Sequence, residues 1–91
     1  MTQKEVLDQL RTIVVERLRF DTTRAAEMTL ATTLPKGVEG SLGLDSLDFI
    51  ELSVAMEERF GFTIDEGQDL SEAFHSLDSL SRFILAKMGQ A

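Results

Sequence analysis

The sequence predicts an all-α fold: a small four-helix bundle of three main helices and one short helix. Three observations support this. Apolar residues recur at helical spacing in three stretches, N-cap residues precede those stretches, and no stretch is a convincing strand. The chain has 91 residues, of which 43% are hydrophobic, so it is long enough for one core. We therefore expect a single domain over residues 1–91.

The first helix is predicted from about Gln3 to Arg19. It opens on a capping box, with Thr2 at the N-cap and Glu5 three residues later. One face is apolar and expected in the core; it comprises Val6, Leu7, Leu10, Ile13, Val14 and Leu18. The opposite face is expected to be solvated; it carries Lys4, Asp8, Arg11 and Arg17.

A long loop, residues 20–44, is predicted between this helix and the next main one. One proline and three glycines interrupt it in quick succession. Residues 24–28 have the composition of a single helical turn. Leu30, Leu34 and Val38 are expected to pin the loop to the core. So long a loop in so small a domain tends to be functional or mobile.

The second main helix is predicted over Ser46–Phe60. Gly43 gives the backbone freedom for a sharp turn before it, and Asp45 and Ser46 are both favoured N-cap types. Gly61 is well placed to end it. Its apolar residues are Leu47, Ile50, Leu52, Val54, Ala55, Met56 and Phe60.

The end of the chain is predicted to hold the short helix and the last main helix. A turn at residues 65–68 precedes a capping-box pattern that opens the short helix, from about residue 69 to 74. Ser76 is the expected N-cap of the last helix and Gly89 its end. One face of that helix is apolar; it comprises Leu77, Leu80, Phe83, Ile84 and Met88.

Composition excludes several classes of protein. The chain has no cysteine, which excludes disulfides, thiolate metal sites and a cysteine nucleophile. It has no apolar run near the ~20 residues of a membrane span and no signal-peptide core, so we expect a cytoplasmic protein without membrane insertion. The acidic run at residues 65–69 lacks the ligand spacing of a calcium loop, so no metal site is predicted.

The charge of the chain is acidic and unevenly distributed. The formal net charge is −7, and residues 45–78 hold ten acids against one base. Such a field repels nucleic acid and attracts basic protein surfaces. Asp48, Glu51 and Glu58 share one side of the second main helix, bordered by Ile50 and Val54. This row is either a docking surface for basic partners or a solvated face, and Ile50 itself is expected in the core.

Ser46 places one hydroxyl at the start of a helix, between carboxylates. A hydrolase would need a base, and the chain has a single histidine, His75. Ser46 also lacks the strand-to-helix elbow with flanking glycines that many hydrolases use. We therefore expect no enzyme activity. A phosphate ester on Ser46 would gain from the partial positive charge of the helix start, while Asp45 and Asp48 would oppose it.

The stretch 42–48, Leu-Gly-Leu-Asp-Ser-Leu-Asp, resembles the acyl carrier protein signature. Ile-Glu-Leu at 50–52 and Glu-Glu-Arg-Phe-Gly at 57–61 extend the resemblance, and the predicted elements follow the family's order over nearly the whole chain. The resemblance implies that Ser46 receives 4′-phosphopantetheine from coenzyme A through a phosphopantetheinyl transferase. Its thiol would hold acyl groups as thioesters. The resemblance and the acidic face together suggest partner-binding residues; they are Asp45, Leu47, Asp48, Glu51, Val54, Glu57 and Glu58.

The partners that the resemblance implies, besides the transferase, are acyl-transferring, condensing and modifying enzymes with basic docking surfaces. The short chain without linkers suggests a discrete carrier, expected as a monomer. Gly40-Ser41 stands where the family often has acids, and Phe49 where a small or polar residue is usual; Phe49 would narrow a cargo entrance or add an apolar partner contact. With the long loop, these departures favour a specialised polyketide, unusual fatty-acid or lipid pathway. The alternatives are a peptidyl, aryl or D-alanyl carrier, and an unmodified acidic helical adaptor.

Overall fold

The computed structural model describes residues 1–65 and 70–89, and four α-helices form within them. No strand occurs in these two ranges, which contain only two isolated β-bridges. The all-α prediction is therefore confirmed. In chain order the helices are α1 (Gln3–Glu16), α2 (Thr22–Glu27), α3 (Ser46–Phe60) and α4 (Leu77–Gly89).

The predicted capping box starts α1. The backbone N–H of Thr2 donates to the Glu5 carboxylate at 2.9 Å, and the N–H of Glu5 donates to the Thr2 hydroxyl at 3.2 Å. These bonds satisfy two of the N–H groups that a helix start leaves without partners.

The end of α1 lies three residues before the predicted one, at Glu16 rather than Arg19. The N–H of Phe20 donates to the Val14 carbonyl at 3.0 Å, and Arg19 adopts a left-handed conformation with φ of 60°. A residue in that conformation cannot continue a right-handed helix. The chain therefore turns away at this point and enters α2.

The core lies where α1, α3 and α4 pack against one another, with α2 against α1. Full burial of one aliphatic side chain contributes about 1.5–3 kcal/mol, so these contacts dominate the stability of the bundle. The largest fully buried side chains come from every part of the described chain; they are Val6, Leu10, Ile13, Val14, Met28, Leu34, Leu44, Leu52, Met56, Leu77, Leu80 and Ile84.

The short helix is found at α2 and not where it was predicted. Residues 70–74 form hydrogen-bonded turns, with the N–H of Phe74 donating to the Leu70 carbonyl at 2.9 Å. Residues 66–69, which hold the predicted turn and the start of that helix, lie outside the described ranges. In contrast, Asp21 caps α2 by accepting the N–H of Arg24 at 2.7 Å. Ala25 is buried in the core, and α2 packs against α1, which stabilises this short helix.

The segment 32–36 of the predicted loop joins two distant parts of the chain. Its Leu34 donates a backbone hydrogen bond to the His75 carbonyl at 3.0 Å, just before α4. The Leu34 carbonyl accepts the N–H of Leu44 at 2.9 Å, just before α3. We call this set of backbone bonds the seam. Its other bonds run from Leu42 to Thr33, from Lys36 to Leu44 and from Leu77 to Thr32.

The three predicted loop anchors differ in their burial. Leu34 is fully buried and Leu30 is half-buried, as predicted. The prediction for Val38 is wrong, because its side chain is 40% exposed. Val38 belongs to a tight turn, in which its carbonyl accepts the N–H of Ser41 at 3.1 Å, and this turn lies outside the seam. The seam and the buried Leu34 side chain therefore attach the loop to the core, and Val38 does not contribute to this attachment.

Candidate functional site

Ser46 is the first residue of α3 and its side chain is exposed. Its hydroxyl takes part in none of the hydrogen bonds among the described residues. The turn before it depends on Gly43, whose φ of 73° lies in the left-handed region as expected. The seam fixes this turn through Leu44, so a rigid scaffold presents the hydroxyl to solvent.

The two carboxylates that flank Ser46 form a second capping box. Asp45 is the N-cap and accepts the N–H of Asp48 at 3.0 Å, while the carboxylate of Asp48 accepts the N–H of Asp45 at 3.2 Å. The N–H of Asp48 is the main cause that lowers the pKa of the Asp45 carboxyl below its usual range. Of the two N-cap candidates in the sequence, the structure therefore assigns the role to Asp45.

The site around Ser46 fits a phosphate ester that points outward. The partial positive charge of the helix start favours an anion there. The Asp45 carboxylate already accepts one of the free N–H groups, so the ester would extend into solvent rather than lie on the helix end. Lys36 is close enough to lower the pKa of Asp45, and its charge also favours an anion at this turn.

The solvent side of α3 carries an apolar patch formed by Leu47, Ile50 and Val54. Their side chains are 73%, 61% and 40% exposed. The prediction that Ile50 lies in the core is therefore wrong. The three residues are spaced by three and four, so they share one face, and α3 packs with the other face, where Leu52 and Met56 are buried.

The remaining acidic residues of α3 all have partners within the chain. Arg17 binds Glu51 at 2.8 Å and Glu58 at 2.9 Å. The Glu57 carboxylate accepts the N–H of Ile64 at 3.0 Å, just beyond the end of α3. Sequence reasoning missed Arg17, which was expected on a solvated face. Its position near the end of α1 was visible in the sequence, but the helix-to-helix contact was not.

Comparison with known proteins shows the family of this chain. The family model described as "Phosphopantetheine attachment site" matches residues 8–84. The acyl carrier protein of Guillardia theta is 30% identical over 88 residues, which cover 94% of this chain and 100% of that protein. The chain belongs to the acyl carrier protein family.

Two further acyl carrier proteins show how far the similarity extends. That of Prochlorococcus marinus (strain MIT 9515) is 30% identical over 89 residues, covering 98% of this chain and 100% of its own. That of Helicobacter acinonychis (strain Sheeba) is 36% identical over 63 residues, covering 69% and 72%. Acyl carrier proteins are carriers rather than enzymes. They bear 4′-phosphopantetheine and interact with a phosphopantetheinyl transferase and with biosynthetic enzymes.

No hydrogen bond within the described ranges joins Ser46 to His75, whose carbonyl belongs to the seam. Residues 1–65 and 70–89 contain no group of three or more histidine, aspartate or glutamate side chains placed to hold a metal ion. Within the same residues, no helix is both long and apolar enough to cross a membrane.

Proposed function

We propose that this chain carries acyl groups as thioesters on a 4′-phosphopantetheine arm attached to Ser46. It presents them to fatty-acid or polyketide-type biosynthetic enzymes, in a specialised pathway. One observation carries the choice of residue. The Ser46 hydroxyl is exposed at the first position of α3, and it makes no hydrogen bond within the described chain.

The attachment step is a phosphoryl transfer to this hydroxyl. The Ser46 oxygen forms a bond to the phosphorus of the pantetheine arm of coenzyme A, while the bond to adenosine bisphosphate breaks. The hydroxyl proton leaves to a base of the transferase. Once attached, the arm supplies a thiol that holds acyl groups. The chain itself contributes an accessible oxygen on a fixed turn, since Gly43 and the seam hold the start of α3.

The proposed docking face for partner enzymes lies on the exposed side of α3, next to Ser46. Its apolar patch of Leu47, Ile50 and Val54 is exposed, and the same helix carries the carboxylates of Asp48, Glu51, Glu57 and Glu58. A carrier must release each partner, and electrostatic contacts at the rim give fast association without high affinity. The face comprises Asp45, Leu47, Asp48, Ile50, Glu51, Val54, Glu57 and Glu58.

Three departures from the family's pattern support a specialised pathway. Gly40-Ser41 places neutral residues where acids are common in the family. The Ser41 hydroxyl donates to the Pro35 carbonyl at 2.7 Å, so this position presents no negative charge to a partner. Phe49 is half-buried one helical turn after Ser46, and the centroids of its ring and the Phe74 ring lie 5.2 Å apart. The long loop is the third departure. It contributes the seam.

The test of attachment is the mass of the intact protein after incubation with coenzyme A and a broad-specificity phosphopantetheinyl transferase. Wild type is expected to gain one phosphopantetheine, and Ser46→Ala none. Ser53→Ala is a matched control two turns along α3, whose hydroxyl donates only to the Phe49 carbonyl, and it should be modified like wild type. Equal modification of Ser46→Ala would refute the assignment of Ser46.

The class of cargo is tested separately on the modified protein. Acyl-, aminoacyl- and aryl-activating enzymes are offered in parallel, and thioester formation is read by mass. We expect loading by acyl-activating or acyl-transferring enzymes. Loading by the aminoacyl or aryl enzymes alone would replace the proposal with a peptidyl or aryl carrier.

A further inference from the structure

Arg17 links the end of α1 to the acidic face of α3. Its Nε lies 2.8 Å from Oε1 of Glu51, and its Nη1 lies 2.9 Å from Oε2 of Glu58. The two glutamates are seven residues apart, so they stand two turns apart on one side of the helix. A single guanidinium spans them. This shows that the two carboxylates are spaced to hold one planar cation.

These ion pairs are accessible to a competing cation. The side chain of Arg17 is 34% exposed, and those of Glu51 and Glu58 are 45% and 62% exposed. Ion pairs in such positions contribute little net stability, because water solvates the separated charges well. The hydrogen bonds that Arg17 donates to Glu58 and, as the second cause, to Glu51 raise the pKa of its guanidinium. Arg17 therefore stays charged throughout the ordinary pH range.

Space for an incoming side chain lies beside the same ion pairs. An open cleft of about 180 Å³ runs between α1 and α3, and Arg17 and Glu58 both line it. Glu16 and Arg59 line the cleft as well, so it is polar at its edge. A partner's arginine can therefore approach the Glu58 carboxylate through this cleft without any movement of the backbone, and the Glu51 side chain is itself 45% exposed.

We propose that Arg17 is an internal competitor for the basic side chains of partner enzymes, including the phosphopantetheinyl transferase. It occupies Glu51 and Glu58, and a partner's arginine or lysine must displace it to bind them. This inference rests on the proposed function, in which the exposed side of α3 is the docking face. Its consequence is selectivity. Partners that depend on charge bind less tightly, while the apolar patch stays open to partners that bind by apolar contact.

The test compares steady-state kinetics of the transferase on Arg17→Gln and on Arg82→Gln. Each change removes one positive charge, but Arg82 pairs with Asp78 on α4, away from the docking face. We expect Arg17→Gln to lower KM about two- to fivefold, the factor that corresponds to one exposed ion pair. The rate should also fall more steeply with added salt, because two carboxylates are freed. Arg82→Gln should match wild type.

Two further variants separate competition from simple repulsion. Arg17→Lys keeps the charge and loses the planar fork, so competition predicts a KM between wild type and Arg17→Gln. If Arg17 only repelled the partner's positive charges, Arg17→Lys would keep the wild-type KM. In a protein that already carries Glu51→Gln and Glu58→Gln, adding Arg17→Gln should leave KM unchanged if Arg17 competes for these carboxylates, whereas simple repulsion predicts that KM still falls. Thermal melts of each variant confirm that it is folded.

The outcomes distinguish the inference from the function on which it rests. If Ser46 is modified normally and Arg17→Gln has the KM of wild type or of Arg82→Gln, the competitor role is overturned and the carrier function stands. If wild type is not modified at Ser46 at all, the carrier proposal fails and the inference fails with it.

Discussion

Asp45 and Asp48 flank the candidate attachment serine, and each carboxylate accepts the other residue's backbone N–H. This explains why two anions stand beside a position proposed to carry a phosphate ester: they hold the first turn of α3. The sequence signal was present, since an acid three residues after an N-cap is the spacing of a capping box. The N-cap type was predicted, but the choice between Asp45 and Ser46 needed the backbone geometry.

Replacing Asp45 tests its capping role and its pH dependence. Asp45→Ala should lower the melting temperature by roughly 4–8 °C at pH 7, whereas Asp45→Asn should lower it less, because asparagine still caps the helix but carries no charge. The pKa of Asp45 is lowered in the folded state, so its charge stabilises the fold above the ordinary carboxyl range. That contribution is lost as pH falls through the lowered pKa.

The measurement is thermal melting of wild type and both variants from pH 7 down to pH 2. The difference between wild type and Asp45→Asn should shrink towards the acid end. A difference that stays constant over the whole range would show that the charge of Asp45 has no part in stability.

At the scale of the element, α3 presents apolar residues on two sides, and this is why the sequence alone misplaced Ile50. When apolar residues lie on two sides of a helix, the periodicity of the sequence cannot identify which side is buried. The face that packs is decided by α1 and α4, which pack against α3 and share the core with Leu52, Ala55 and Met56. The bounds of α3 were predicted correctly because its start and its left-handed Gly61 are local signals.

Two alanine substitutions on α3 should differ strongly in their effect on stability. Leu52→Ala removes a side chain that is 1% exposed and should cost about 2–5 kcal/mol of unfolding free energy. Ile50→Ala removes one that is 61% exposed and should stay within about 0.5 kcal/mol. Urea unfolding gives both values, and transferase kinetics should show weaker binding for Ile50→Ala. A large loss of stability in Ile50→Ala would place this residue in the core after all.

At the scale of the whole molecule, the seam connects segments that are far apart in the chain. Residues 32–36 form backbone hydrogen bonds with the turn before α3 and with His75 and Leu77 at the start of α4. Periodicity and caps predicted most of the helices because those signals are local. The two seam bonds that reach His75 and Leu77, and the bonds of Arg17, could not be predicted in this way. They join residues more than thirty positions apart, which meet only in the folded bundle.

The two loop residues that were expected to act alike should behave differently. Leu34→Ala opens a cavity under the seam and should cost about 2–5 kcal/mol, a large part of the 5–15 kcal/mol typical of a domain. Val38→Ala, at a side chain that is 40% exposed, should change the stability by no more than about 0.5 kcal/mol. Denaturant unfolding of both variants measures this, and equal losses would contradict the assignment of the Leu34 side chain, rather than that of Val38, as the anchor of the loop.

The seam has a consequence for when the protein can be modified during its synthesis. The His75 carbonyl that receives the bond from Leu34 comes late in the chain, and α4 follows it. A nascent chain that has emerged only as far as α3 already contains Ser46 but lacks one side of the scaffold that fixes its turn. We expect a transferase to be inefficient on such a chain. Attachment of the arm would then mark a carrier whose synthesis and folding are complete.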